Sequence, residues 1–508
     1  MGSFRIASLL NRTFEPGLLW IEVSSTLQLP SMHIVGLAAP EVAEARERIR
    51  AAILSSGLEF PQRRVVLNLS PANIRKQGTG LDLPMALALL ASTASKRGEA
   101  PCDCLAWGEL GLDGALKATG QALRAFVAAW RGRVPRIILA QADALELRER
   151  LSGLPANAFA DHPFPRVDAA TSLKEAKEML FHPGKITAFI GGMEDFPIPS
   201  NQSSKNDRVF LPLSPSLERV LGVAAAGRHH LLLVGPRGVG KSQAIEALHG
   251  LQLDEPESLA LARGLIQDLR GEKNEGDRGR IRRVGGNPRA SALQGSVSQG
   301  TCIPGEFALA HGGMLVADEL PEWPRDAREA LREPLETGQV TLTRVRDRIE
   351  FPADFQFAAT GNLCPCGGWD GSDTTCSCPH PTRERYLARL SGPILDRIDL
   401  VVRMQITSEE RRSISLHQVR DRAIDARTRC ERAWGNTSGR LTALELESLL
   451  LSHPKWGASR ILQQTSSLRS RHKILRVALT LAAWDRKEEP QAAHWIEASC
   501  YRWERHGM

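Results

Sequence analysis

The chain has 508 residues, 42% of them hydrophobic and 24% charged, with a net charge of +7; that length predicts two to four domains of roughly 100–200 residues each. No stretch approaches the roughly 18 uninterrupted apolar residues of a membrane-spanning helix, and the opening MGSFRIASLLNRTFEPG lacks the apolar core and cleavage site of a secretory signal. Membrane-spanning and secreted classes are therefore set aside, a cytoplasmic protein is expected, and the charge permits a polyanionic partner without requiring one.

Residues 20–25 (WIEVSS), 33–37 (HIVGL) and 64–70 (RVVLNLS) are rich in β-branched and apolar residues and predict strands. Residues 41–57 carry helical apolar spacing and stop at Gly57. Residues 83–98 predict a second, more buried helix. An α+β or α/β domain is expected over 1–170. Gly, Pro, Ser and Asn cluster within 185–209, and a linker is drawn from 171 to 209. A second α/β domain is expected over 210–405, followed by an Arg-rich helical segment over 406–508.

The apolar run Leu231 to Val234 leads into Gly235-Pro236-Arg237-Gly238-Val239-Gly240-Lys241-Ser242 and then a helical pattern. This is the G-x-x-x-x-G-K-S phosphate loop in the strand–loop–helix context it requires. Glycines let backbone N–H groups close around phosphate oxygens at the positive end of a helix. Lys241 supplies a point charge for the β- and γ-phosphates of ATP, and Ser242 a hydroxyl for Mg²⁺. A chance glycine-rich turn is the bland alternative, but pattern, strand and helix agree. A second apolar run, residues 313–317, ends in Asp318-Glu319. Asp318 is expected in the Mg²⁺ shell, and Glu319 as the base that polarises the attacking water.

Nine cysteines suit a reducing compartment, and four fall at 364, 366, 376 and 378. Two C-x-C pairs with Gly367, Gly368 and Gly371 between them can supply four sulfur ligands to a structural Zn²⁺. His380 is an alternative ligand, and four reduced loop thiols are the bland alternative. Residues 338–351 (GQVTLTRVRDRIEF) predict a β-hairpin with charges at alternate positions. Arg344, Arg346 and Arg348 there are candidates for salt-sensitive phosphate contacts with DNA. Residues 270–283 form a second basic stretch. Solvated hairpins are an equally weighted reading of both.

With these motifs in place, the chain resembles AAA+ ATPases of the magnesium-chelatase-like group, specifically the ComM/YifB proteins. The strings that carry the resemblance are residues 34–90, 304–323 (PGEFALAHGGMLVADELPEW), 330–342 (ALREPLETGQVTL), 390–400 (LSGPILDRIDL) and 468–482 (LRSRHKILRVALTLA). It implies an α/β fold class: an N-terminal Lon-protease-like α+β domain, a P-loop AAA+ domain with a parallel sheet, and a C-terminal helical lid. It implies a ring, a hexamer, with ATP between subunits. Asn362 matches the polar γ-phosphate sensor, Arg397 the arginine finger, and Arg469 the sensor arginine of the lid; Arg383, Arg385 and Arg389 are rivals to Arg397. The Lon-type Ser–Lys dyad falls on Gly80 and Leu123, with Thr79 and Lys117 off the matching places, so no peptidase activity is expected. The resemblance points to a DNA branch-migration helicase of natural transformation. A chelatase-type motor that remodels a protein partner, and a non-enzymatic ATP-binding scaffold, are the competing classes. The chain departs from the family at 285–291 (GGNPRAS) and after Asp195-Phe196, which bears on the pocket rim and the pore contacts.

Overall fold

In a computed structural model, residues 4–11, 14–76, 78–94, 101–154, 156–184, 187–192, 195, 210–253, 257–272, 281–298, 301–344, 347–370, 376–405, 412–457, 460–465 and 467–503 are described. The first body is a seven-stranded mixed sheet. Its order is Ser31–Val35, Arg64–Ser70, Gly17–Thr26, Phe4–Leu10, Leu105–Trp107, Arg136–Ala140, Arg166–Ala170. Antiparallel pairing joins Phe4–Leu10 to Gly17–Thr26 and that strand to Arg64–Ser70, while the remaining neighbours are parallel. Alternation in RVVLNLS puts Val65, Leu67 and Leu69 into the core, as a one-sided strand requires. The helix Asp82–Ala94 has little amphipathic character and is buried from Asp82 to Ala91, because it lies across the sheet strands Phe4–Leu10 and Gly17–Thr26.

The expected linker begins too early. Helix Leu173–Phe181, capped by Ser172, buries Leu173, Ala176, Met179 and Leu180 in the same core. Its apolar stripe outweighs the loop-like composition that follows it. The remainder of that stretch falls largely outside the described residues.

The second body is a five-stranded, all-parallel sheet in the order Ile281–Val284, Met314–Ala317, Gln356–Gly361, Leu231–Val234, Leu400–Arg403. The three inner strands are buried throughout, the pattern of a parallel sheet covered on both faces. Ile281–Val284 was expected within a basic loop and is instead an edge strand; residues 273–280 of that stretch lie outside the described residues. The helices Leu416–Trp434 and Leu468–Trp484 pack on Pro215–Gly227 and share one core with it. The segment 406–508 is not helical throughout: Arg412–Ser415 is a strand paired antiparallel with Phe210–Leu213. That short ladder ties the start of this body to the chain that leaves its sheet.

The two bodies meet at helix Glu257–Arg270, whose Leu261 and Leu265 join the N-terminal core. Asp268 is fully buried there. It accepts from the Arg124 backbone N–H at 3.0 Å and lies 3.4 Å from Arg150. Burial pushes its carboxyl up to about 6 despite both guanidinium groups.

Candidate nucleotide site

Because all five strands run parallel, their C-terminal ends share one edge, the place where open α/β sheets bind ligands. Gly235 to Gly240 leave the inner strand Leu231–Val234 at that edge. Gly238 and Gly240 sit at φ +79° and +100°, conformations that favour glycine. Gly240 is the N-cap of helix Lys241–Gly250, so the free amides of the first turn point at the loop. Gly235 has no room for a Cβ: the Met404 carbonyl oxygen lies 2.5 Å from where one would sit. Val239 is buried, while Arg237, Gly238 and Ser242 are exposed. Pro236 is buried and its carbonyl faces Lys241.

Lys241 folds back on its own loop. Its Nζ donates to the carbonyls of Gly235 (2.7 Å) and Pro236 (2.8 Å) and to Asn362 Oδ1 (3.1 Å). Burial lowers its pKa from the ordinary lysine value, with the Glu319 carboxylate opposing and Arg237 adding to the shift. Carbonyl oxygens here occupy the donors that a phosphate would take.

Asp318 and Glu319 follow the strand Met314–Ala317, and Asn362 follows Gln356–Gly361, so both groups reach the same edge as the loop. Glu319 has φ +52°, rare for a residue with a Cβ. The Thr360 hydroxyl accepts from its N–H at 3.0 Å, which holds that turn. The strained turn leaves the Glu319 side chain exposed and Asp318 half-buried, between the buried Ala317 and Leu320. Asn362 is only 4% exposed. Arg283, read in the sequence only as part of the basic stretch 270–283, has its guanidinium 3.8 Å from Asp318 and 2.8 Å from Glu246. A cleft of about 330 Å³ beside Met404 is lined by Leu217, Val220, Val402 and Tyr501. It is invisible in sequence, since its walls come from three separate segments.

The family model for magnesium chelatase subunit ChlI matches residues 214–412. A second model, subunit ChlI of Mg-chelatase, matches residues 21–143, and the model for the ChlI C-terminal region matches 414–502. The chain is 33% identical over 493 residues to the uncharacterized protein YifB of Salmonella typhimurium, across 95% of this chain and 93% of that one. It is 30% identical over 506 residues to the competence protein ComM of Haemophilus influenzae, across 96% and 94%. The chain belongs to the ComM/YifB family of magnesium-chelatase-like proteins. It is accordingly an AAA+ ATPase. Among the described residues no helix is long and apolar enough to cross a membrane.

Two predicted residues of this ComM/YifB protein, Arg397 and Arg469, are not at the loop. Arg397 and Arg469 meet at Glu336 in a cavity of about 700 Å³. Arg397 pairs with Glu336 and donates to the Pro393 carbonyl at 2.7 Å; Arg469 reaches the other Glu336 oxygen at 2.6 Å. Arg397 holds the Glu336 carboxyl below the usual range. His230, Phe355 and Asp399 line the same cavity, and each stands at or just before the start of a sheet strand. Both arginines therefore sit at the sheet edge opposite the phosphate loop. The rival Arg383 stacks on Trp369 at 4.8 Å and Arg389 pairs with Glu322 at 2.9 Å; Arg385 is exposed.

The sulfurs of Cys364, Cys366, Cys376 and Cys378 all lie within 4.8 Å of one another. Observed separations of 3.3, 3.4 and 3.5 Å are close to the ~3.8 Å between thiolates on a tetrahedral Zn²⁺. The backbone N–H of Gly368 and the neighbouring thiols draw Cys366 down to about 6. The donor set fits a four-thiolate metal. His380 is outside the cluster and faces Glu384 at 3.8 Å. Strands Gln339–Arg344 and Asp347–Pro352 form the expected hairpin. The side chain of Arg344 and all of Arg346 lie outside the described residues. Arg348 is exposed and pairs with Glu350 at 2.9 Å.

Proposed function

We propose that this protein is a ring-forming AAA+ ATPase that couples ATP hydrolysis to DNA remodelling, of the branch-migration or helicase kind, in natural transformation or recombination. The observation behind this reading is the division of the catalytic set. The loop, the two acids and Asn362 occupy one sheet edge, and Arg397 and Arg469 the other. Hydrolysis then requires a second copy to bring its arginines to the first copy's ATP, and a closed hexamer supplies one neighbour per site.

Within that site the amides from Gly235 to Gly240 hold the phosphates. Lys241 exchanges its carbonyl partners for the β- and γ-phosphates. Ser242 and Asp318 hold Mg²⁺, which neutralises charge on those phosphates. Glu319 orients and deprotonates the attacking water, and Asn362 marks the γ-phosphate. The cleft beside Met404 takes the adenine base between Leu217, Val220, Val402 and Tyr501. Cys364, Cys366, Cys376 and Cys378 hold a structural Zn²⁺. The helices after 416 act as the lid. The N-terminal body is a Lon-type domain without its dyad: a Cβ at Gly80 would lie 2.4 Å from the Trp107 indole, and Leu123 is an apolar core residue.

Kinship with a competence protein and the exposed arginine of the 339–352 hairpin favour DNA as the track, in the cytoplasm. The test is ATP turnover with and without branched or single-stranded DNA. Stimulation by DNA is expected. Stimulation only by a protein partner identifies a chelatase-type motor instead, and absence of turnover under all conditions an ATP-binding scaffold.

A further inference from the structure

The four-cysteine knuckle is joined to the phosphate loop at two points. The first is its stem. Cys364 is fully buried two residues beyond Asn362, whose side chain accepts from Lys241. The second is its tip. The Gly367 carbonyl accepts the backbone N–H of Arg237, in the middle of the loop, at 2.8 Å. Gly367 is at φ +73°, and a Cβ there would come within 2.5 Å of Arg237 Nε. Its own N–H closes the turn onto the Cys364 carbonyl at 3.0 Å.

The same turn aims backbone donors at sulfur: Trp369 N–H at Cys364 Sγ (3.3 Å) and Gly368 N–H at Cys366 Sγ (3.4 Å). Such donors stabilise thiolate ligands and set their orientation. Behind the turn, Trp369 is 4.8 Å from the Arg383 guanidinium and 5.5 Å from that of Arg403, which also donates to the Asp370 carbonyl. Arg403 ends the strand paired with Val234, the residue before the loop. The knuckle is thus seated against the nucleotide strand from behind and touches its loop from the front. Thiols alone hold its two cysteine pairs together weakly; a bound metal holds them rigidly.

We propose that the metallated knuckle braces the phosphate loop, so that metal and nucleotide affinities are linked. This rests on the metal and nucleotide assignments above and adds a coupling between them. Linkage is reciprocal. Bound nucleotide must slow metal loss by the same brace through which bound metal tightens nucleotide.

The experiment uses the full chain with its native metal content. Zinc per chain is measured first, then zinc release to a chromogenic chelator with and without ADP, and then the Kd of a fluorescent ATP analogue before and after chelation. The expected results are one zinc per chain, slower release with ADP, and a Kd at least about fivefold weaker after chelation. Gly367→Ala covers the case in which chelation unfolds the chain. It should retain zinc and the circular dichroism spectrum and still weaken the analogue at least about fivefold. Zinc near zero in the purified protein overturns the metal assignment itself. One zinc per chain, with release indifferent to ADP and Gly367→Ala binding the analogue normally, overturns the brace alone.

Discussion

Lys241 shows how one side chain takes its meaning from two separate segments. Its Nζ is held by two carbonyls of its own loop and by Asn362, more than a hundred residues downstream. Those acceptors hold a cation in a partly desolvated place. The arrangement predicts that Lys241→Ala lowers ATP turnover by at least about 10²-fold, the scale of losing one preorganised electrostatic contact to the reacting group. Phosphate release under saturating Mg²⁺–ATP measures it, and a rate within twofold of the parent would remove Lys241 from the site. Glu319 makes the same point by a different route. The motif named the residue, but only the fold shows it at φ +52° and held by Thr360.

At the scale of elements, the N-terminal ends of the strands carry two histidines, His311 buried and His230 half-buried, that act as neutral acceptors. His230 Nδ1 accepts from Phe357 N–H at 3.0 Å, and His311 Nδ1 from Asp354 N–H at 3.1 Å. Burial pushes each down to about 4. The unfolded chain protonates these rings near their ordinary pKa of ~6.5, whereas the folded one resists. Stability contributed by the neutral rings is therefore present above about pH 6.5 and lost progressively as pH falls towards 4. The melting temperature should drop across that window. In His311→Gln, whose amide oxygen retains an acceptor, the drop should be smaller; an identical pH profile in the two proteins would contradict the assignment. Local sequence made most of these elements legible. The strands at 64–70 and 231–234 and the hairpin at 339–352 follow from alternation or apolar runs with turn signals. Helix Leu173–Phe181 and strand Ile281–Val284 were hidden in stretches whose composition reads as linker and basic loop.

For the whole molecule, the separation of Arg397 and Arg469 from the phosphate loop is the dominant fact. Arg397 is only 8% exposed, and its Nε is buried without a hydrogen-bond partner among the described residues. Glu336 stands at both guanidinium groups, in the manner a phosphate would. Arg397→Ala should thus lower turnover by roughly 10³-fold or more while leaving the affinity for an ATP analogue unchanged. Mixed in equal amounts with the inactive Lys241→Ala chain, it should recover a measurable fraction of the rate. The Lys241→Ala subunit supplies the arginine and the Arg397→Ala subunit the intact loop. No recovery in mixtures that demonstrably co-assemble would contradict a shared site.

What the sequence determined by itself is the place of motifs that lie within a few consecutive residues. The phosphate loop, the acidic pair after an apolar strand and the two C-x-C pairs each need only local spacing and a flanking element, so a linear reading finds them. Tertiary structure alone decided what depends on which ends of which strands come together. The parallel sheet gathers the loop, Glu319 and Asn362 at one edge and sends Arg397 and Arg469 to the other. It also forms the cleft beside Met404 and places Gly367 against Arg237. The physical reason is that strand order and direction are set by burying apolar faces across the whole domain, a long-range condition that leaves no signature in any short stretch of chain.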